Sequence, residues 1–491
     1  MNFKEQLYRE ILEIGIALST EKNYANLLQL ILQKSMEVTH CDGGTLYLYE
    51  NGYLHFNIMQ TISLDIYQDV NQAPIDLPPV ALREENVCAY AAIHKEVINI
   101  EDVYNSSRFD FSGPKNYDPI INYHTKSMLV LPLLSHENEL IGVVQLINAL
   151  DDHGNVIAFQ KAFERIILSL ASQAAVAVSN MRFLSEIKDL LHSFVAAMGA
   201  AVDARTPYNG NHTRKVTEHV GGFAKYLQTL YIKGEYEEPF DENRIEQITM
   251  AAALHDIGKM IIPLRIMDKN TRLDSSFDKI KQRFLLLQCY YELDYLKGRI
   301  DKAAYDAEYN YIEESFLLVK KLNSMGYLPP EYEEPIKALG EKSYRLGDGT
   351  LLYYLTEYEK KCLCIKKGTL TNEERTAMEN HVLMTSHILE NIHFSKNYQN
   401  VKLFAGNHHE LLDGSGYPRH LTEKDISSDV RILTMIDIYD ALTSDDRPYK
   451  KIMPQETAFC VLNEMAEEGK LDGKLIHLFE QYMKLPKSDQ R

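Results

Sequence analysis

The pattern of hydrophobic and polar positions changes twice along the 491 residues. Over residues 1–158, helical and strand periods are mixed. Residues 26–38 space their apolar side chains as an amphipathic helix does, whereas Gly44-Thr45-Leu46-Tyr47-Leu48-Tyr49 alternates as a strand. Residues 127–134 and 140–148 are short runs rich in Val, Ile and Leu, the pattern of buried strands. These elements predict an α/β (α+β) domain of about 150 residues. Beyond roughly residue 190, strand signals nearly vanish and long helical patterns dominate.

Between the two textures, 159–203 reads as one long helix. From Phe163 through Ile167, Leu170 and Ala174 to Val195, Met198 and Val202, apolar residues recur in alternating steps of four and three. Only Lys188 breaks the rule. Such a seam suits a parallel or antiparallel coiled coil, and so a homodimer; a helix packed on its own domain is the alternative. Joining two domains, it is a candidate signalling connector. The remainder, 190–491, predicts an all-α domain interrupted at 268–366. That insertion reads as a helical hairpin, 276–297 then 301–325 with Gly298 at the break, followed by Leu328-Pro329-Pro330 and a further helix. It is Tyr-rich and charged without a metal-ligand cluster, so a structural or interaction role is expected.

Composition narrows the partners. With 52 Lys+Arg against 70 Asp+Glu, the net charge of −18 argues against a nucleic-acid polymer as ligand, because backbone affinity needs a basic footprint. A small phosphorylated ligand held by a few local cations is not excluded. There are 17 His and 6 Cys, so a metal site should use imidazole and carboxylate rather than thiolate. Cys41, Cys88, Cys289 and Cys460 are solitary, and Cys362-Leu363-Cys364 lacks the spacing of a zinc knuckle. Met1-Asn2-Phe3-Lys4-Glu5 carries early charge and no apolar signal core. The most apolar stretch, 166–178, is interrupted by Ser169, Ser172 and Gln173. A cytoplasmic protein without membrane insertion is the expectation.

Candidate chemistry gathers in four places. His255-Asp256 closes an apolar helical stretch, and neighbours on a helix point about 100° apart, so both face one site only around two metals or a bridging carboxylate. His408-His409 precedes a Gly-rich turn, Asp437 lies in an apolar helical stretch, and His212 and His381 each start an amphipathic helix. A single His on a helix is more often structural, and a buried Asp can be a cap. Together, however, these groups stand in apolar surroundings where unpaired charge is costly, and a shared dication accounts for them jointly.

The motifs His255-Asp256-Ile257-Gly258-Lys259, HHELLDGSGYP at 408–418 and DIYDALTSDDRPYKK at 437–451 resemble the HD-GYP family, HD-domain metal phosphohydrolases that hydrolyse cyclic di-GMP. The likeness covers about 190–267 and 367–491, including Glu468-Gly469-Lys470-Leu471-Asp472. It implies His212, His255, Asp256, His381, His408, His409 and Asp437 as metal ligands. His387, six residues beyond His381, would lie on another face of the helix. Two divalent metals are implied, iron or manganese before zinc, with Asp256 bridging. A third metal is not expected, because Thr206-Pro207-Tyr208-Asn209-Gly210-Asn211 lacks the Glu that some members place there. Lys259, Arg447 and Lys450 are the candidate phosphate clamps, while Gly416 and Tyr417 shape the substrate site. Glu410 and Asp413 would orient histidine N–H groups or the loop.

Residues 1–158 resemble a GAF sensor domain through Asp102, Arg108-Phe109, the run 123–133 and the run 141–148. Such domains bind small molecules or only dimerise. The combined expectation is a metal-dependent cyclic di-GMP phosphodiesterase yielding linear pGpG or GMP and regulated through the GAF domain. Another cyclic dinucleotide, such as cyclic GMP-AMP, or a non-catalytic receptor are the alternatives.

Overall fold

The alternating stretch around Leu46 forms strand β1 (Cys41–Glu50) in a computed structural model of the chain. The structure describes all residues except 1–13, 18–19, 22, 71–74, 136, 206–210, 445–452 and 487–491. They fall into two units, Met1–Leu190 and Leu191–Arg491.

In the first unit, β1 joins β2 (Tyr53–Thr61), β3 (Ile66–Asp69), β4 (Val80–Ala81), β5 (Ile98–Ile100), β6 (Met128–Leu134), β7 (Leu140–Leu150) and β8 (Val156–Ile157). The sheet runs β3-β2-β1-β7-β6-β5, with β4 beside β2 and β8 beside β7, and its pairings are antiparallel. Register turns the two-residue period of the strands into two cores. Leu46 lies opposite Ile58 and Val144, and Val144 opposite Leu131. That row packs with Leu27, Leu28 and Ile31 of helix α1 (Tyr24–Thr39). One position on, Tyr47 and Val143 face the opposite core with Ala91 and Ala92 of α2 (Val87–His94). With both faces covered, β6 is buried at every position but its last, which explains an apolar run without alternation. Helix α3 (Ser112–Ile121) lies between β5 and β6 in sequence.

Helix α4 (Lys161–Asp203) is continuous over 43 residues. Ile167, Leu170 and Ala174 complete the core under α1, while Val195 and Val202 enter the core of the second unit. These positions of the four-three seam are therefore buried within the chain itself, not held free for a partner. Despite Ser169, Ser172 and Gln173, Ile166–Asp203 is long and apolar enough, by length and composition, to cross a membrane.

The second unit is almost wholly helical. Helices α5 (His212–Ile232) and α6 (Glu242–Leu254) are followed by a 3-10 turn, Ile257–Ile261, and the short α7 (Leu264–Met267). Residues 268–366 then contribute α8 (Ser276–Leu296), α9 (Lys302–Asn323), α10 (Glu333–Glu341), β9 (Ser343–Arg345), β10 (Leu351–Tyr353) and α11 (Glu357–Leu363). The predicted hairpin is present, with Gly298 at φ +67° in its bend. Strands β9 and β10 escape the sequence because three residues are too few to show a period. Phe284, Ile312, Leu322 and Tyr354 lie in a separate core within this stretch. Helices α12 (Asn372–Glu390), α13 (Val401–Ala405), α14 (Ser428–Thr443), α15 (Gln455–Glu467) and α16 (Gly473–Met483) complete the unit. Phe223, Leu254, Ile436 and Phe479 lie in its main core. Lys269, just after α7, reaches Glu374 of α12 at 2.6 Å.

Candidate metal centre

The main core delivers seven polar side chains to one buried point. His212 is the first residue of α5, His255 caps the C-terminus of α6, and Asp256 follows it outside the helix. Because the helix has ended there, the fan expected between helical neighbours does not apply. His255 Nε2 stands 3.3 Å from Asp256 Oδ2. His381 lies in the middle of α12, not at its start as the sequence reading had it. His408 and His409 occupy the turn after α13, and Asp437 lies on α14.

Asp256 stands between two sets of imidazoles. Its Oδ2 is 3.6 Å from His212 Nε2 and 3.3 Å from His255 Nε2. Its Oδ1 is 3.4 Å from His381 Nε2 and 3.9 Å from His408 Nε2. Asp437 closes the far side, with Oδ1 at 3.2 Å from His212 Nε2 and Oδ2 at 3.8 Å from His409 Nδ1. Three overlapping groups could each hold a metal ion: His381, His408 and His409; His212, His255 and Asp437; and His255, Asp256 and His408. The donor set fits such an ion by a further test. His255 Nε2, His381 Nε2, His408 Nε2 and Asp256 Oδ1 are buried without a hydrogen-bond partner. Orphaned polar atoms are costly, and cations held among these neighbouring groups would satisfy all four.

Electrostatics divide the histidines. Burial opposes the charged form of His212 and His255, but the carboxylates of Asp437 and Asp256, with Asp440 at His212, raise them to about 9 and about 10. Burial alone would raise Asp256 and Asp437 too. Lys259 and His255 beside the first, and His212 and His255 beside the second, hold both well below the usual carboxylate range. Burial drives His408 well below its ordinary value and His409 down to about 4, keeping their ring nitrogens available as ligands.

Hydrogen bonds fix which nitrogen each ring offers. His255, His381 and His408 each place Nδ1 2.7 Å from the carbonyl oxygen three residues back, that of Ala252, Met378 and Ala405. Nδ1 must donate there, which leaves Nε2 for the site. His212 is the first residue of its helix. Its Nδ1 instead donates to Asp440 Oδ2 at 2.6 Å. Asp440 was missed by the sequence reading, although it lies three residues after Asp437 and so on the same face of α14. Asp440→Ala is expected to weaken metal affinity by about 10–100-fold, the usual cost of losing such a partner. Asp440→Asn, whose amide oxygen still accepts, should recover most of it. A competition titration against a chromophoric chelator reads both, and equal affinity in the Ala variant would refute the role.

The supporting loops account for other motif residues. Gly416 is pressed so closely that an added Cβ would lie 2.3 Å from Leu411 N and 2.6 Å from His409 O. Tyr417 packs its ring 4.8 Å from that of His409, and the Tyr417–Pro418 peptide is cis. Glu410 accepts the backbone N–H groups of Arg419 and Leu421 at 2.7 and 2.9 Å, and Asp413 that of Ser415 at 2.9 Å. Of the two roles expected for these carboxylates, holding the loop is the one seen. Lys259 Nζ lies 2.6 Å from Asp256 Oδ2, beside the site. His387 has a 71% exposed side chain and stays apart from the centre. Arg447 and Lys450 lie outside the described residues, as do 206–210, where a further ligand was sought.

Residues 23–178 match the GAF domain family and 359–475 the HD domain family. The chain is 38% identical over 99 residues to the 3′3′-cGAMP-specific phosphodiesterase 3 of Vibrio cholerae, a match covering 20% of this chain and 21% of that protein. It is 38% identical over 127 residues to a cyclic di-GMP phosphodiesterase of Thermotoga maritima, covering 26% and 32%. Identity to the cyclic di-GMP phosphodiesterase response regulator RpfG of Xanthomonas campestris is 36% over 107 residues, covering 22% and 27%. The chain thus spans between a fifth and a third of the length of these relatives.

Proposed function

We propose that this chain, with its GAF domain at 23–178 and its HD domain at 359–475, is a metal-dependent phosphodiesterase that hydrolyses cyclic di-GMP to linear pGpG or GMP. The observation that carries the reading is the placement of Asp256, with one oxygen toward His212 and His255 and the other toward His381 and His408. A carboxylate so placed suits a bridge between two cations, completed by His409 and Asp437. Iron or manganese suits this mixture of imidazole and carboxylate, with zinc the next choice. When bound, such a pair supplies Lewis-acid polarisation of the phosphate and activation of water.

The remaining work falls to the protein. Lys259, 19% exposed at its side chain, would turn its ammonium from Asp256 to a phosphate oxygen once cations neutralise that carboxylate. Arg447 and Lys450 would add charge from the segment after α14. Tyr417, held against His409, would form a wall of the nucleotide site. The GAF domain, with or without a small-molecule ligand, would act through α4, which runs unbroken from Lys161 to Asp203.

Cyclic GMP-AMP is the second substrate to consider, because 3′3′-cGAMP-specific phosphodiesterases stand among the relatives. Protein loaded with manganese or iron should convert cyclic di-GMP, and side-by-side kcat/KM values should favour it over 3′3′-cGAMP. A higher value for 3′3′-cGAMP would transfer the assignment, and metal-replete protein inert on both would overturn it.

A further inference from the structure

A side chain just past the end of α4 fastens the turn that follows Asp256. Arg205 stands two residues beyond Asp203, and its three acceptors among the described residues are all main-chain oxygens of that turn. Nη1 donates to Lys259 O at 2.7 Å and to Met260 O, and Nη2 donates to Ile262 O at 3.1 Å. A planar guanidinium fork meets several carbonyls in a fixed geometry, which the point charge of a lysine does not. The turn in its own right closes back on the ligand. Lys259 N donates to Asp256 O at 2.9 Å, and Ile262 N to Lys259 O at 3.1 Å. Arg205 therefore acts on Asp256, and on the Lys259 ammonium beside it, through one short stretch of backbone.

The last turn of α4 also grips the other arm of the site. Asp203 is buried, and its Oδ1 accepts from Thr213 Oγ1 at 2.7 Å. Thr213 directly follows His212, whose Nε2 stands 3.6 Å from Asp256 Oδ2. Both sides of that approach are thus tied to the same few residues. Packing leaves this part of α4 little freedom. Val195 and Val202 lie in the main core, and a Cβ at Gly199 would stand 2.9 Å from Thr213 Cγ2 and 3.2 Å from Ala253 O. Thr213 cannot rotate away from such a Cβ without giving up its bond to Asp203.

We propose that Arg205 is a positioning residue for the metal centre, and that with Asp203 it makes the end of α4 the element that sets the spacing of His212 and Asp256. For turnover this rests on the phosphodiesterase reading; for metal affinity it does not. Arg205→Ala in the full chain should bind manganese at least about tenfold more weakly than the parent, the scale on which support of ligands is felt. A competition titration against a chromophoric chelator reads it. Millimolar guanidinium, far below denaturing concentrations, should fill the gap and restore most of the affinity in the Ala variant without changing the parent. Arg205→Lys, which keeps the charge and loses the fork, should fall between the two, and it covers the case of an Ala variant that does not fold. Gly199→Ala tests the helix directly. Alanine favours the helical backbone, yet its methyl must turn Thr213 off Asp203 or shift α4 away from it. Manganese binding should weaken while the circular dichroism spectrum stays unchanged. Parent affinity in Arg205→Ala, Arg205→Lys or Gly199→Ala, or a loss that guanidinium leaves untouched, would each overturn the proposal. With these metal effects present, a parent chain inert on cyclic di-GMP would leave the positioning role standing and overturn the phosphodiesterase reading alone.

Discussion

Asp256→Asn is expected to lower turnover of cyclic di-GMP by at least about a thousandfold, since several kcal/mol of charge stabilisation are at stake and about 1.36 kcal/mol is a decade in rate. The substitution preserves shape and removes charge. In the parent, Oδ2 accepts from Lys259 and faces His212 and His255, while Oδ1, without a hydrogen-bond partner, faces His381 and His408. An amide presents one oxygen and one NH2 group, so one side of the site would meet a donor where it needs an acceptor. Metal per chain should therefore fall along with activity, and elemental analysis after gel filtration measures it. His387→Ala, at a side chain that is 71% exposed, should change neither quantity. Full metal content and full turnover in the Asn variant would remove the basis for a bridging role.

How much of this was legible in the sequence depended on what kind of physics each residue serves. Ligand types and their apolar surroundings brought out His255, Asp256, His408, His409 and Asp437, because a buried unpaired charge demands an explanation wherever it occurs. The strands around Leu46, Val130 and Val144 were legible from period and composition. Residues acting through backbone atoms of distant segments were not. Thr385 lies about 130 positions from the carbonyl of His255 to which it donates, and no local pattern announces that bond. The start of α12 was readable but overlooked: Thr371 and Glu374 form a capping box, which places His381 in mid-helix. Periodicity in α4 showed that an apolar face exists, yet it cannot say what covers it. Two stripes one residue apart satisfy the same rule, and only burial reveals that Ile167, Leu170 and Val195 serve cores while Ile187 and Leu190 face outward.

Gly258→Ala is expected to cost about 3 kcal/mol of stability, at the upper end for overpacking, and to strip the centre of metal. A Cβ at Gly258 would stand 1.9 Å from His381 O and 2.5 Å from Thr385 N. Both are backbone atoms of α12, so no rotamer change relieves the clash. The turn carrying Asp256 would have to lift from the helix carrying His381, lengthening the 3.4 Å approach of Oδ1 to Nε2. That turn is also fastened by Thr385, whose Oγ1 accepts from Gly258 N at 3.0 Å and donates to His255 O at 2.8 Å. Thr385→Val removes these two bonds while keeping the volume, so it isolates the fastening from the clash. It should cost about 1–3 kcal/mol, the penalty of leaving buried partners unsatisfied, and weaken metal binding without abolishing it. Thr385→Ser, retaining the hydroxyl, should restore most of the affinity. Denaturant unfolding and metal titration of the three variants give the ordering. If the Ala variant matched the parent in both, close apposition of the His255-Asp256 turn to α12 could not be what sets the geometry of the centre.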